Sequence, residues 1–148
     1  MYKRILIATD GSALARRAEA QGFSLAKELH AEVIVVTVTE FWSALELAAK
    51  AQRGAQHPVE DYEKHAEKYA QKILADAKNV AAQTGVACDT IHVRDRHPAE
   101  GIVETAKARG CDLIVMASHG RRGLQRVLLG GQAAKVLAYS SIAVMICK

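Results

Sequence analysis

The sequence predicts an α/β fold in which a parallel β-sheet carries helices on both faces. Short apolar segments alternate with longer segments whose apolar residues recur every three or four positions, as they do in helices. Three of the short segments, around Val33–Val38, Leu113–Met116 and Ile142–Ile146, are almost continuously apolar, which is typical of strands covered on both sides. The 148 residues fit one domain, and we expect residues 1–148 to form it.

The first strand–helix–strand unit is predicted to run through Tyr2–Thr9, Ser12–Leu29 and Glu32–Thr39. Ser12 suits the N-cap of the helix, since its hydroxyl can accept a backbone N–H that has no partner inside the helix. The apolar residues of this helix lie three or four positions apart and should face the sheet. They are Leu14, Ala18, Gly22, Leu25 and Leu29.

The longest predicted helix, Val59–Thr84, lies between the second and third strands, and Gly85 is a favourable residue at its end. A short additional helix is predicted over Phe41–Ala51 and a loop over Arg53–Pro58. The long helix has an apolar stripe that we expect to pack on the sheet. The stripe consists of Tyr62, Ala66, Tyr69, Ile73, Ala77 and Val80.

The remaining elements continue the alternation of strands and helices. Pro98 suits the first position of a helix, and Gly110 suits its end. In the last helix we expect Ala133, Val136 and Leu137 to face inward. In chain order these elements are the strand Ala87–Val93, the helix from Pro98 to Gly110, the strand Asp112–Ala117, the helix Gly131–Tyr139 and the strand Ile142–Cys147.

Charge and composition disfavour two classes of partner. The formal net charge is +4, but Lys and Arg are spread along the chain, and the tightest cluster is Arg121, Arg122 and Arg126. Nucleic-acid binders concentrate charge in a stripe and add aromatic residues that stack on bases, so we expect no nucleic-acid partner. No apolar run approaches the roughly 20 residues that cross a bilayer, so we expect no membrane partner.

The cysteines favour a reducing compartment. Cys88, Cys111 and Cys147 have no spacing that is typical of a metal or redox site. Free cysteines in apolar segments behave as small hydrophobic residues, and they persist where thiols stay reduced. The N-terminal segment also lacks a signal-peptide pattern, so we expect a cytoplasmic protein.

Ligands of open parallel sheets bind beyond the carboxyl ends of the strands, where the strand order reverses. The segment Ala117–Gly131 follows the fourth strand and is rich in Gly and Arg. Its glycines permit a close approach of backbone to phosphate oxygens, and Gly130 precedes a helix whose N-terminus favours an anion. Arg121 and Arg122 add positive charge. The segment is therefore either a phosphate cradle or a flexible surface loop, and the residues alone leave both open.

Several polar residues near the strand ends have alternative interpretations. Asp10 can accept a hydrogen bond from an adenine amino group, or it can simply form a turn before the cap Ser12. His119 can donate to a phosphate or act as a base, although such loop histidines more often serve only local hydrogen bonds. His92 and His97 lack a recognised ligand spacing, so we expect no metal site. We recognise no nucleophile with a base and an orienting partner, and therefore expect no catalytic residues and no committed enzyme.

Three segments resemble universal stress proteins: Lys3–Ser12, Cys111–Gly131, and the ending from Ala134 to Ile146. The likeness spans essentially the whole chain. It implies a Rossmann-like fold, of the kind also called adenine nucleotide alpha hydrolase-like, with an open parallel sheet of five strands in the order 3-2-1-4-5. It also implies a homodimer formed through the last strand, Ile142–Cys147, whose apolar edge needs cover.

Family members that bind ATP carry Gly, two residues, Gly, nine residues, Gly and then Ser or Thr. Gly120 and Gly130 keep this pattern, but the first Gly is Ala117 and the final Ser or Thr is Gly131. A Pro that the family has near the end of strand one is Ala8. The lost hydroxyl is worth roughly 1.5–3 kcal/mol, or about ten- to a hundredfold in affinity, so the site is weakened but not abolished.

The resemblance implies one ligand site for ATP or AMP, with or without Mg²⁺. We expect a stress-response regulator in which the nucleotide orders Ser118–Leu129 and alters what an unidentified protein partner contacts. The alternative is an interaction module of the same family that binds no nucleotide, which the three departures favour. A phosphoacceptor receiver is disfavoured, because Asp10 lacks an adjacent acid. The implied residues are Ala8, Asp10, Val38 and Met116 around the adenine, and Ala117, His119, Gly120, Gly130, Gly131 and Gln132 around the phosphates.

Overall fold

A computed structural model describes residues 1–121 and 128–148 and has the predicted alternation of elements. The largest difference from prediction is at the extra helix, which begins at Ala44 and not at Phe41. Among the described residues, no helix is long and apolar enough to cross a membrane. The strands are β1 (Arg4–Ala8), β2 (Glu32–Thr39), β3 (Cys88–Arg94), β4 (Leu113–Ala117) and β5 (Ala143–Cys147). The helices are α1 (Ala13–Leu29), α2 (Ala44–Gln52), α3 (Pro58–Thr84), α4 (Pro98–Ala108) and α5 (Gly131–Tyr139).

The five strands form one parallel sheet in the order β3-β2-β1-β4-β5, which confirms the order that the resemblance implied. From β1 the chain adds β2 and β3 on one side of the sheet. It then crosses back, and β4 and β5 lie on the other side of β1. The order therefore reverses between β1 and β4, where Ile5 pairs with Leu113 and Ile7 with Val115. Such a reversal leaves a crevice at the carboxyl ends of the strands, in which α/β proteins bind ligands.

The side chains of β1 alternate between two hydrophobic cores, one on each face of the sheet. Ile5 and Ile7 pack with Phe23 on the face covered by α1 and α3. Leu6 packs with Val136 on the face covered by α4 and α5. All five side chains are fully buried, and truncating an aromatic such as Phe23 to Ala would cost about 3–5 kcal/mol of stability. Helices on both faces of the sheet confirm the predicted fold class.

Local signals predicted the start of α1 and the end of α3 correctly. Ser12 caps α1, because its Oγ accepts a hydrogen bond from the backbone N–H of Ala15 at 3.2 Å. Gly85 ends α3 in the left-handed conformation, with a φ of 79°. His30 ends α1 in the same conformation with a φ of 53°, which the sequence did not indicate because non-glycine residues are uncommon there.

The predicted inner face of α1 is partly wrong. Leu25 and Leu29 are only half-buried, while Phe23, outside the predicted stripe, is fully buried. The reason is a close approach at Gly22, where a Cβ would come within 2.7 Å of Ile7 Cδ1. The face of α1 that packs on the sheet therefore centres on Gly22, which has no side chain.

The inner faces of α5 and α3 also differ from prediction. Leu137 is 45% exposed, because α5 packs near the edge strand β5 and the sheet ends there. The 27 residues of α3 span about 40 Å, whereas the eight residues of β2 span about 27 Å. The first half of α3 therefore extends beyond the sheet. Tyr62 and Tyr69 line a cavity there instead of joining the core, whereas Ile73 is buried as predicted.

All three cysteines are unpaired. Cys111 and Cys147 are buried and Cys88 is half-buried. Burial raises the pKa of each thiol above its ordinary value, which keeps the thiol protonated at neutral pH.

Candidate functional site

A cavity of about 860 Å³ opens at the carboxyl ends of β1, β2 and β4, beside the reversal of strand order. Its size lies in the range of roughly 300–1,000 Å³ that is usual for small-ligand sites. The stretches that begin at Ala8, Val36 and Met116 form its floor. The N-terminus of α5 and the first half of α3 form two of its walls.

Each residue that the sequence assigned to a nucleotide site lines this cavity. They come from separate segments of the chain, namely the ends of β1 and β2, the end of β4 with the residues after it, and the start of α5. The segment Ser118–Leu129 is only partly described, because residues 122–127, including Arg122, lie outside the described part. The lining residues that match the prediction are Ala8, Asp10, Val38, Met116, Ala117, His119, Gly120, Gly130, Gly131 and Gln132.

Asp10 fastens the end of β1 to the segment after β4. Its Oδ1 accepts a hydrogen bond from the backbone N–H of Ser12 at 2.9 Å, as the turn interpretation requires. Its Oδ2 accepts one from the backbone N–H of Arg121 at 2.9 Å, a contact that the sequence did not indicate. Gly120 permits this contact, since a Cβ there would lie 2.8 Å from Asp10 Oδ2. Each carboxylate oxygen keeps a further lone pair with which it can accept a hydrogen bond from a ligand.

The two glycines at the start of α5 differ in the space around them. The backbone N–H of Gly130 donates to the carbonyl oxygen of Ser118 at 2.7 Å, and a Cβ on Gly130 would meet that oxygen at 2.8 Å. A Cβ on Gly131 would meet no described atom within 4 Å. Gly130 is therefore fixed by close packing. Gly131 has space beside it among the described residues, at a helix N-terminus where anions are stabilised.

The other two departures from the family pattern, Ala117 and Ala8, are small core residues. Ala117 ends β4, is 7% exposed and belongs to the core beneath α1 and α3. Ala8 ends β1, is 6% exposed and belongs to the core beneath α4 and α5. Both methyl groups are accommodated by packing within the sheet layers.

His119 carries a buried nitrogen that lacks a partner. Its Nδ1 shares a hydrogen bond with Ser118 Oγ at 3.0 Å, whereas its Nε2 is buried without a hydrogen-bond partner in the part of the chain that the structure describes. A buried polar atom left unpaired costs about 1–3 kcal/mol. Because His119 lines the cavity, a polar ligand atom could satisfy this nitrogen.

Gln132 makes a structural contact that the sequence did not indicate. Its Oε1 accepts a hydrogen bond from the backbone N–H of Ala99 at 3.1 Å, in the first turn of α4. The side chain of His97, the N-cap of α4, makes no capping hydrogen bond. Gln132 therefore ties α5 to α4 and keeps its amide N–H groups as donors for a ligand.

The wall formed by α2 and α3 was missed by sequence reasoning. The Lys50 Nζ lies 5.8 Å from the centre of the Tyr62 ring, and the Arg121 guanidinium lies 4.5 Å from that of Tyr69. His65 lies on the same wall. Cations are attracted to the faces of aromatic rings, so these pairs bring positive charge to the cavity. The tyrosines repeat at helical spacing, as residues of a buried stripe do. Their hydroxyl groups, which need hydrogen-bond partners, were the only feature that favoured a position exposed to solvent.

A chain of hydrogen bonds leads from the cavity towards the surface beside β3. Thr39 Oγ1, which lines the cavity, is 2.8 Å from His92 Nε2, and His92 Nδ1 is 3.2 Å from Glu67 Oε2. Arg94 also pairs with Glu67. The sequence did not indicate this arrangement of a hydroxyl, an imidazole and a carboxylate, because β3 and α3 bring distant residues to the end of β2. Catalysis would also need donors aimed at a developing oxyanion, so the chain alone does not make a catalytic site.

Glu67 is the ionised member of that chain. Desolvation opposes its ionisation, but the Gln71 amide, the Arg94 guanidinium and His92 together hold the pKa of Glu67 below its ordinary value. Both ring nitrogens of His92 are engaged, which leaves them unavailable to a metal. Within residues 1–121 and 128–148, no group of three or more His, Cys, Asp and Glu side chains is placed to hold a metal ion.

Glu19 is a buried carboxyl group beneath the cavity. It is 3% exposed and accepts a hydrogen bond from the Thr9 hydroxyl, which belongs to a lining residue. Burial raises the pKa of Glu19 above its ordinary value, and the hydrogen bond from Thr9 and the charge of Arg16 only partly offset this effect.

The fold and the motif positions match a known family over their full extent. The model of the universal stress protein family (Usp) matches residues 1–148. The chain belongs to the universal stress protein family. It is 33% identical over 148 residues to universal stress protein MJ0531 of Methanocaldococcus jannaschii, and the match covers 100% of this chain and 83% of that protein. It is 32% identical over 149 residues to universal stress protein YxiE of Bacillus subtilis, with 100% of both chains covered.

Solved universal stress protein structures share the fold. The structure of protein MJ0577 superposes with a TM-score of 0.80 at 29% identity, covering 100% of this chain and 96% of that one. A universal stress protein in complex with cAMP gives a TM-score of 0.72 at 22% identity, with 99% and 97% covered. The universal stress protein of Archaeoglobus fulgidus in complex with dAMP gives 0.70 at 19% identity, with 99% and 98% covered. These likenesses confirm the Rossmann-like α/β fold.

Proposed function

We propose that this universal stress protein binds an adenine nucleotide, ATP or AMP, in the cavity and acts as a regulator, not as an enzyme. The observation that carries the proposal is the convergence of all the motif positions on one cavity, which also holds the unpartnered Nε2 of His119. The complexes of two other family members with cAMP and dAMP support an adenine nucleotide as the ligand class.

The adenine would lie over the ends of β1, β2 and β4. Val38 and Met116 offer apolar surface there, and Ala8 lies at the end of the neighbouring strand. Asp10 retains lone pairs that can accept a hydrogen bond from an amino group, although its main contacts are with backbone N–H groups. Apolar walls with few polar groups are the usual composition of small-ligand sites.

The phosphates would lie at the N-terminus of α5. The backbone N–H groups of Gly131 and Gln132 belong to the first turn of this helix, where N–H groups lack helical partners and the helix dipole favours an anion. The Nε2 of His119 would gain a partner from a phosphate oxygen. Gly120 and Ala117 complete this side of the cavity through their backbones.

Mg²⁺ finds few protein ligands at this end of the cavity. Gly131 supplies no hydroxyl, and both carboxylate oxygens of Asp10 already accept backbone N–H groups. Magnesium commonly keeps several waters and relies on substrate phosphates for the rest of its shell. We therefore propose that any Mg²⁺ enters with the nucleotide and is held by its phosphates.

Ser118 connects the proposed phosphate site to the edge of the sheet. Its N–H donates to the carbonyl oxygen of Cys147 at 2.8 Å, and its own carbonyl accepts from Gly130 at 2.7 Å. A nucleotide that stabilises the start of α5 would also favour one arrangement of Ser118 and of the end of β5. The proposed output is a change in the surface that a protein partner contacts.

The edge strand β5 is the proposed site of homodimerisation. Within the described residues it pairs with β4 alone, and Val144, Met145 and Ile146 are half-buried on it. An apolar edge strand is stabilised when a second copy pairs with it. The three free thiols suit a cytoplasmic location, which we also propose.

A second candidate is an interaction module that binds no nucleotide. The departures at Ala117 and Gly131 favour it, and so does the exposed apolar surface at the start of α2, where Phe41 is 60% and Leu45 82% exposed. Apolar side chains exposed together are typical of protein-interaction surfaces.

The proposal is tested by identifying what the protein carries when it is purified. The native protein is denatured after purification, and the released small molecules are identified by mass spectrometry. Release of ATP or AMP close to one molecule per chain is the expected result. Release of no adenine nucleotide from the native protein, together with no uptake when the stripped protein is dialysed against ATP, would favour the interaction module.

A further inference from the structure

The imidazole of His92, on β3, is held in one orientation by groups from two other elements, β2 and α3. Its side chain is 11% exposed, so its contacts with Thr39 of β2 and Glu67 of α3 are largely shielded from water. Glu67 is itself fixed, because Arg94 pairs with its Oε2 and the Gln71 amide donates to its Oε1 at 2.8 Å. The chain of contacts is therefore rigid from the surface to the cavity.

The carboxylate determines which nitrogen of His92 carries the proton. An ionised carboxylate can only accept hydrogen bonds, so its contact with Nδ1 requires an N–H at that atom. In a neutral imidazole the other nitrogen, Nε2, is then an acceptor. Thr39 Oγ1 lies 2.8 Å from Nε2, so its hydroxyl donates its hydrogen to Nε2 when the ring is neutral.

A threonine hydroxyl has one hydrogen to donate and two lone pairs to accept with. Because His92 takes the hydrogen, we propose that Thr39 presents only lone pairs to the cavity and selects ligands that carry a hydrogen-bond donor there. The inference rests on the proposed nucleotide site. Thr39 directly follows Val38, which we assign to the adenine side, and an adenine nucleotide carries two kinds of donor, the 6-amino group and the ribose hydroxyls.

This selection should be directional. A ligand that presents an acceptor to Thr39 leaves two sets of lone pairs facing each other, and Thr39 cannot turn its hydrogen outward without abandoning His92. Sites built to hydrogen-bond one ligand group discriminate strongly against analogues that lack it. An unmet hydrogen bond of this kind corresponds to about a fivefold loss of affinity or more.

The experiment compares wild type with Thr39→Val, which removes the hydroxyl and keeps the shape. Each protein is titrated calorimetrically with ATP, inosine triphosphate, 2′-deoxy-ATP and 3′-deoxy-ATP. Wild type should prefer ATP about fivefold or more over one analogue, and Thr39→Val should lose that preference. Lost discrimination against inosine triphosphate identifies the 6-amino group as the donor, and lost discrimination against a deoxy analogue identifies a ribose hydroxyl.

Two further variants serve as controls. Thr39→Ser keeps the hydroxyl and should keep the preference. Thr37→Val removes a hydroxyl from the same face of β2, at a buried residue that does not line the cavity, and should also keep it. Equal preferences in wild type and Thr39→Val would overturn the inference alone. Failure of wild type to bind any of the four nucleotides would overturn the proposed function and the inference together.

A ligand-free measurement separates the two claims further. The nitrogen-15 chemical shifts of His92 report which ring nitrogen is protonated. In the neutral ring the Nδ1–H form is expected, and the Nε2 resonance should move in Thr39→Val. A protonated Nε2 in the neutral ring would overturn the inference even if ATP binds.

Discussion

Two walls of the cavity are built in different ways. On the side of α5, the backbone passes close to neighbouring oxygens. A Cβ on Gly130 would lie 2.8 Å from the backbone carbonyl oxygen of Ser118, and a Cβ on Gly120 would lie 2.8 Å from the side-chain Oδ2 of Asp10. On the side of α3, long side chains such as Tyr62, His65 and Tyr69 project from a helix that extends past the sheet. The first wall is fixed by backbone packing, and the second is shaped by side chains.

This difference explains which wall the sequence revealed. A backbone contact that excludes a Cβ requires glycine, so it leaves a visible pattern of glycines at fixed spacing. A wall of side chains on a helix leaves only a periodic stripe, which a buried helix face shares. We therefore expect substitutions on the α5 side to have large effects and those on the α3 side to have small ones.

Replacing Gly130 with Val should have the largest effect. The new side chain would collide with the carbonyl oxygen of Ser118, which lies 2.8 Å from the position of a Cβ. We expect a loss of about 1–3 kcal/mol of stability in urea denaturation and a drop in ATP affinity of at least about a hundredfold. The matched control is Gly131→Ala at the next position, where a Cβ meets no atom of the described residues within 4 Å. Equal stability and affinity in the two variants would contradict the backbone-packed wall.

Replacing Gly131 with Ser should raise nucleotide affinity. No described atom lies within 4 Å of a Cβ at this position, so the side chain meets no clash in the described part of the chain. The hydroxyl restores a donor at the position where ATP-binding relatives have Ser or Thr. A charge-assisted hydrogen bond corresponds to about a ten- to a hundredfold gain, measured by calorimetric titration with ATP and Mg²⁺. Gly131→Ala adds the carbon without the hydroxyl and should leave the affinity unchanged. A gain of the same size in both variants would show that the hydroxyl is not the cause.

Glu19, beneath the cavity, should affect the pH dependence of stability. Because burial raises its pKa, the folded state holds a proton above the ordinary value of 4.5 that the unfolded state has lost. Stability should therefore fall as the pH rises from 4.5 through the raised pKa, by at most about 1.4 kcal/mol per pH unit. Asp112 and Glu67 do not mask this fall, since their pKa values are lowered and they titrate below this window.

The measurement is urea denaturation of wild type and Glu19→Gln at a series of pH values. The variant should lack the fall in stability above pH 4.5, because its amide does not ionise. The same slope in both proteins would exclude Glu19 as the group responsible.

Replacing Tyr69 with Leu should have the smallest effect. The change removes the ring over which Arg121 lies at 4.5 Å, and such a contact is worth about 0.5–1 kcal/mol at an exposed site. We expect a two- to fivefold loss of ATP affinity. Tyr139→Leu, at an exposed position outside the cavity, is the control and should bind as wild type does. A hundredfold loss for Tyr69→Leu would contradict the proposed difference between the walls.

The sequence predicted some features of the structure and not others, in line with the difference between the two walls. Alternating apolar segments sufficed for the order of elements, and the cap at Ser12 and the stop at Gly85 gave accurate helix ends. The resemblance supplied the strand order and the motif positions that converge on the cavity. The sequence could not predict the hydrogen bond between Thr39 and His92. Residues 53 positions apart meet only because β3 lies beside β2. Local periodicity carries no information about such pairings.

The central claim is that the cavity binds an adenine nucleotide. Calorimetric titration of the nucleotide-stripped wild-type protein with ATP and Mg²⁺ tests it most directly. We expect saturable binding of one nucleotide per chain with a dissociation constant in roughly the micromolar range, about −8 kcal/mol. No heat of binding up to millimolar ATP or AMP would contradict the claim, and would favour a universal stress protein that acts through protein contacts alone.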